Sequence, residues 1–232
     1  MGFRREKARL IARESKGSLT AVLWQIQETG GRELPWISME DAGVLLPALL
    51  IAEWEDGNAA DWGLISELSG LSTNECREKL CQLEWPHGPL IRRGGRWDWI
   101  AWPFSFSRMA RFMDNKLVSR FVDMSIRVLS ERDPGIDMPA GERWTATLYG
   151  KTLQNSAFAR SGLAASAVLV SMHGNKMKGV SGQSAANAIV KGVLSVDSEK
   201  MAERWLSATS ELDDLAEAAP DVFIRCCIRG NL

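Results

Sequence analysis

The chain has 232 residues, 45% hydrophobic and 25% charged, with a net charge of −1. These are ordinary values for one large or two small globular domains, long enough to bury a core without staples. The longest apolar run, "VLLPALLIA" at 44–52, is too short to cross a bilayer, and the charged N-terminus has no signal-peptide apolar region; no membrane partner and a cytoplasmic location are expected.

Residues 4–27 read as a helix, with Leu10, Ile11, Leu19, Val22, Leu23 and Ile26 at helical spacing. They form the core of an N-terminal helical segment, 1–41, that closes with the loop "ETGGRELPW". A short apolar helix over 41–54 follows, started by Asp41. Helices are then expected at Ala60–Leu68 and Thr73–Glu84, joined by "SGLS". Ser72 and Glu75 have the spacing of a capping box. Leu64, Ile65 and Leu68 can pack on Cys76, Leu80 and Leu83, which is a helix-turn-helix pattern.

The stretch "PLIRRGGRWDWIAW", 89–102, reads as a tight β-hairpin turning at Gly94-Gly95. Arg93 then faces Arg96, and Arg92 faces Trp97. Opposed like charges weaken a hairpin slightly, so a nearby anion is expected. Leu90, Trp97 and Trp99 share a face that packs onto the helices. Together these elements predict a winged-helix domain over 42–106.

The remainder, 107–232, reads as a helical-repeat-like domain. It has a long amphipathic helix at 107–131, breakers at Pro134 and Gly135, and helical stretches at 143–172, 184–195 and 198–218. The fold class expected is mainly α, a winged helix with one small β-hairpin followed by α-solenoid-like helices.

Ten tryptophans stand against one tyrosine. Eight of them lie in the first half and are expected in its core. Charge is unevenly spread. Residues 143–196 carry six basic side chains and no acidic one, while residues 198–221 carry seven acidic and two basic. The two stretches can face each other within the fold.

Known catalytic motifs do not fit. "GKT" at 150–152 would end a phosphate-binding loop, but Thr145 stands where that loop needs its first glycine. There is no G-x-S-x-G and no HExxH. Four cysteines without a CxxC pair do not make a zinc site. No metal, no cofactor and no catalytic residue are expected.

The presumed recognition helix offers Asn74 and Arg77 but also Glu75 and Glu78. Residues 61–102 carry five basic side chains against six acidic ones. That is a poor balance for neutralising phosphates. Arg92, Arg93 and Arg96 are therefore expected to meet a carboxylate of a partner or neighbouring domain. Lys151, Arg160, Lys176 and Lys178 are expected to form a second basic surface. Lys176 and Lys178 lie in the Gly-rich loop "HGNKMKGVSGQS".

Segments along nearly the whole chain resemble the region that follows the nucleotide-binding core in large prokaryotic STAND NTPases, the group that includes antiviral Avs-type proteins. "EKARLIARESKGSLTAVLWQ" resembles the helices leading out of that core. "LLPALLIAEWEDGNAAD" and "PLIRRGGRWDWI" resemble its winged helix. "RFVDMSIRVLSERDPGIDMPAGERW" and "YGKTLQNSAFARSGLAASAVLV" resemble the helical repeats, and "RWLSATSELDDLAEAAPDVF" resembles a later helix pair. The resemblance implies a sensor or regulatory module in defence against phage, working on a protein partner such as an NTPase or effector domain. Nucleotide hydrolysis does not carry over, because the phosphate-binding loop and its partner aspartate are missing. A nucleic-acid-binding winged helix is the second expectation.

Overall fold

The computed structural model describes residues 42–85 and 87–229. The expected helix at 4–27 and the rest of segment 1–41 lie outside them. The described chain is mainly helical, with a small three-stranded antiparallel sheet.

Helix α1 (Ala42–Ile51) is apolar on every side, and all its residues except Gly43 are buried. Such a helix belongs inside a core. It stops sooner than expected because Ala52 turns into the left-handed region at φ 66°. Trp54, expected in this helix, instead begins strand β1 (Trp54–Glu55).

Helix α2 (Ala59–Ser69) is capped by the Asn58 side chain, which accepts the Ala60 and Asp61 amides. Helix α3 (Thr73–Gln82) opens with the expected capping box of Ser72 and Glu75. Strands β2 (Leu90–Arg93) and β3 (Arg96–Trp99) pair in the expected register, Arg93 with Arg96 and Arg92 with Trp97. Gly94 and Gly95 have φ of 56° and 81°, as a two-residue turn of this kind requires. The unexpected β1 pairs Trp54 with Trp97, so the sheet order is β1-β3-β2. The elements over 42–99 therefore run helix, strand, helix, helix, strand, strand.

The sheet face is built from indoles. Trp54 and Trp97 stack at 5.7 Å and 6°, and Trp62 meets both edge-on. All three are fully buried. Such pairs add about 0.5–1.5 kcal/mol each beyond their buried area. Trp85, also expected in the core, is 41% exposed.

The single helix expected over 107–131 is two helices. Helix α4 (Trp102–Met109) runs into a 3-10 turn (Ala110–Phe112), and α5 (Asn115–Leu129) starts afresh. Met113 is extended at φ −77° and ψ 133°, and the Asp114 side chain caps α5 by accepting the Leu117 amide at 2.8 Å. Apolar periodicity runs through the break because Met109 and Met113 are both buried. The expected boundary after residue 106 falls inside α4.

Two 3-10 segments, Pro134–Asp137 and Ala140–Tyr149, precede α6 (Ala157–His173). Then come α7 (Gly182–Leu194), α8 (Ser198–Ser207), α9 (Leu212–Ala218) and α10 (Pro220–Arg229). These helices pack on one another: α7 packs on α5 and α6, and α9 packs on α6 and α7. One hydrophobic cluster runs from Ala42 to Cys226 and includes residues of both halves.

Helix α6 holds the halves together, since it also touches α1, β1 and α4. Gly162 makes this approach possible. A Cβ there would lie 2.1 Å from the Ile51 carbonyl oxygen. Gly182 does the same at the crossing of α6 and α7, where a Cβ would lie 2.1 Å from the Val170 oxygen.

Candidate interaction site

Two of the three wing arginines, Arg92 and Arg96, find their anions within the chain. Asp56, just after β1, is the hub. It accepts the Trp97 indole N–H at 2.8 Å and lies 3.5 Å from Arg92 and 3.6 Å from Arg77. Arg92 also reaches Glu84 at 3.6 Å and covers the Trp97 ring at 5.3 Å. Arg96 pairs with Glu53 and with Asp98, the latter at 3.2 Å. For Arg92 and Arg96 the carboxylate expected from a partner or neighbouring domain is thus supplied by Glu53 and Asp56 beside β1, by Glu84 after α3 and by Asp98 of the hairpin. Arg93 alone of the three is at the exposed tip, with no partner among the described residues.

Arg77 is committed too. It lies over the Trp62 ring at 4.4 Å and donates to the Asp56 carbonyl at 3.1 Å. The exposed face of α3 is left with Asn74, Glu75, Glu78, Lys79, Cys81 and Gln82. That face carries no positive excess to offer to phosphates.

Two buried polar centres, neither foreseen, join the wing half to the bundle. Asp61 of α2 is fully buried. Its carboxylate accepts from the Glu55 amide (2.9 Å), the Asn155 side-chain amide (3.2 Å), the Ser156 amide (3.0 Å) and the Ser156 hydroxyl (2.5 Å). All four donors are neutral groups. Ser156 is also the N-cap of α6. The sequence signal was the N-cap serine before "AFARSGLA", masked there by a helix start expected at 143.

The second centre corrects an expectation. Arg160 was assigned to a basic surface, but it is 2% exposed and sits in the core. Its guanidinium meets Glu211 at 3.2 and 3.3 Å, the Val128 carbonyl at 2.6 Å and the Ser207 carbonyl at 3.2 Å. One basic residue of the 143–196 stretch therefore does face the acidic stretch, inside the fold.

The other members of that expected surface are separated. Lys151 lines a cleft at the start of α6. Lys176 and Lys178 are exposed beyond its other end, about 25 Å away along a helix of this length. There Lys176 donates to the Ser107 hydroxyl at 2.7 Å, and the Lys178 amide donates to the Met113 carbonyl at 2.9 Å. His173, at the end of α6, has its pKa lowered by burial and then by Lys176.

The cleft by Lys151 has a volume of about 580 Å³, within the range of ligand and peptide pockets. Arg143, Phe158, Leu206 and Ser210 share its walls with Glu55 from β1. Arg96 lies 4.7 Å over the Phe158 ring, so the wing touches the cleft wall. At its edge the 3-10 segment Ala140–Tyr149 carries Trp144, Leu148 and Tyr149, which are 80%, 78% and 72% exposed. Behind it, Arg132 grips Asp137 and Glu203 and holds both carboxyls below their usual range.

Among the described residues, no group of His, Cys, Asp and Glu is placed to hold a metal ion. No described helix is long and apolar enough to cross a membrane. No family profile matches the chain, and searches of curated proteins and of solved structures also find no match.

Proposed function

We propose that this chain is a non-enzymatic interaction module, a winged helix fused to a helical bundle. In this reading it senses or regulates within a bacterial anti-phage system, in the manner of the region after the NTPase core of STAND proteins. The partner is a protein, such as an NTPase or effector domain. One observation carries the interaction reading. Arg77, Arg92 and Arg96 end on the chain's own Asp56, Glu84, Glu53 and Asp98, leaving Arg93 and Lys79 as the exposed cations of the wing and α3, while large apolar side chains stay exposed at Trp144, Leu148 and Tyr149. A duplex reader keeps its cations free for phosphate. A protein binder presents aromatic anchors.

The wing-to-bundle contact is the element a partner would bias. Arg96 on Phe158 and Asp61 on Ser156 both couple the sheet region to α6. A partner favouring one packing shifts the population toward it.

Two measurements test the proposal. Cross-linking and mass spectrometry on phage-infected cells should recover a defence NTPase or effector in contact with this chain. Deleting the gene should raise phage plating. Nucleic-acid affinity is measured alongside. Each phosphate contact adds about −0.9 to the slope of log K against log salt. A steep slope with tight duplex binding, and no protein contact, would replace the proposal with the nucleic-acid reading.

A further inference from the structure

We infer that the groove between the start of α1, the end of α2 and the start of α5 is a docking site for the chain's own segment 33–41, "ELPWISMED". The groove has a volume of about 230 Å³. Leu46, Leu68, Phe112 and Leu117 make its apolar floor, and Ala42 and Gly43 form one edge. Helix α1 is apolar on every side, and a helix of that kind is covered all round. Gly43 is its one exposed residue, and a Cβ there would meet nothing within 4 Å. The side of α1 that faces the groove is thus the side still to be covered.

The walls carry a positive excess. Lys116 and Arg120 stand one turn apart on α5, Lys116 exposed and Arg120 half-buried. The Arg120 guanidinium donates to the Glu67 carbonyl at 3.3 Å, a neutral acceptor, and its Nε–H has no partner among the described residues. Lys178 stands beside this wall, since its amide donates to the Met113 carbonyl at 2.9 Å and its backbone bridges to Asp114. The one carboxylate lining the groove is Asp114, which is committed to capping α5 through the Leu117 amide at 2.8 Å. Asp123 lies a turn beyond Arg120, outside the groove lining. Cations over an apolar floor select an apolar segment that carries carboxylates.

Chain continuity names the occupant. Consecutive Cα atoms are about 3.8 Å apart, so the segment that ends at Asp41 is delivered to the groove edge at Ala42, and its nine residues can reach up to about 30 Å from there. It holds three carboxylates, Glu33, Glu40 and Asp41, and no basic side chain. Leu34, Trp36, Ile37 and Met39 supply the apolar surface. A tethered segment competes at a high effective concentration, so a free segment of the same chemistry has to displace it. This consequence rests on the reading of the chain as an interaction module: a partner entering the groove meets a competitor built into the chain.

Two measurements on the full chain test this. Zero-length carbodiimide coupling, read by mass spectrometry, should join Lys116 to Glu40 or Asp41 within one molecule. A labelled peptide of sequence 33–41 is then titrated by fluorescence anisotropy. It should bind the chain carrying Trp36→Ser with Glu40→Lys, which vacates the groove, at least about tenfold tighter than the native chain. Adding Lys116→Glu with Arg120→Glu should weaken that binding about tenfold or more. Should charge reversal lower the melting temperature, Lys116→Gln with Arg120→Gln should weaken it in the same direction. Equal binding to the native and vacated chains, no binding to the vacated chain, or binding indifferent to positions 116 and 120 would overturn the proposal. So would the absence of Lys116 coupling, or coupling between molecules alone, which would give the groove to a second copy. Either failure leaves the capture of a defence partner in cells untouched, and failure of that capture leaves the occupied groove standing.

Discussion

Ser156 gives its hydroxyl proton to Asp61 at 2.5 Å while its Oγ accepts the Ala159 amide at 3.1 Å. The cap of α6 and the buried carboxylate of α2 are therefore one unit. The wing half is fixed to the bundle through it. Replacing Asp61 by Ala strands the amides of Glu55 and Ser156 and the side chain of Asn155. Buried donors left unpaired cost roughly 1–3 kcal/mol each. Asp61→Ala should lower stability by more than about 3 kcal/mol, and Ser156→Ala by about 1–2 kcal/mol through the lost cap. Urea unfolding midpoints read both. A smaller loss for Asp61→Ala than for Ser156→Ala would show that the carboxylate is not the hub.

Arg160 and Glu211 make the second tie, at 2% and 3% side-chain exposure. Breaking such a pair from one side leaves a buried charge alone and costs roughly 3–5 kcal/mol. Removing both partners with apolar residues of similar volume costs far less. Arg160→Met should therefore be severely destabilising, and adding Glu211→Leu should recover much of the loss. A double-mutant cycle that finds the two losses additive would refute the pairing.

The sequence made the local features legible and hid the long-range ones. Gly94-Gly95 announced its turn because few residues tolerate two successive left-handed φ values, and Ser72 with Glu75 announced a helix start. The wing register followed from these. Trp54 was misplaced because an apolar run does not say where a helix ends; the reversal at Ala52 carries no side-chain signature. Arg160 was misplaced because a lone arginine in a small-residue helix gives no hint of a carboxylate 51 positions later. Lys151 was legible as an accessible cation. The exposed group at Trp144 was not, since tryptophan reads as core until its neighbours are known.

Glycine makes this contrast measurable. At Gly162 a Cβ would collide with the main-chain oxygen of Ile51, which cannot swing aside. At Gly63, inside α2, a Cβ meets nothing within 4 Å. Gly162→Ala should cost roughly 1–3 kcal/mol or more, as overpacking does. Gly63→Ala should instead gain about 0.5–1 kcal/mol, because alanine gives up less backbone freedom on folding. Thermal unfolding distinguishes the two. A loss at Gly63 equal to that at Gly162 would remove the packing argument for α6 against α1.

Asp214 gives a pH dependence with a definite sign. It is half-buried in α9, where burial, followed by the charges of Glu217, Asp213 and Glu211, pushes its carboxyl above the ordinary value. The folded protein thus holds this proton more tightly than the unfolded chain, whose aspartates titrate near ~3.9. A raised folded pKa contributes stability that is full below the unfolded value and is lost as pH rises through the folded one. At neutral pH the ionised Asp214 is a net cost to the fold. Asp214→Asn removes that charge and keeps the shape. It should raise the melting temperature at neutral pH, and the gain should shrink as pH falls through the raised folded-state value and the native carboxyl takes up its proton. Melting curves across that range settle it. A variant that melts lower than the native protein at neutral pH, or whose advantage is the same at both ends, would show that Asp214 is not held under this repulsion.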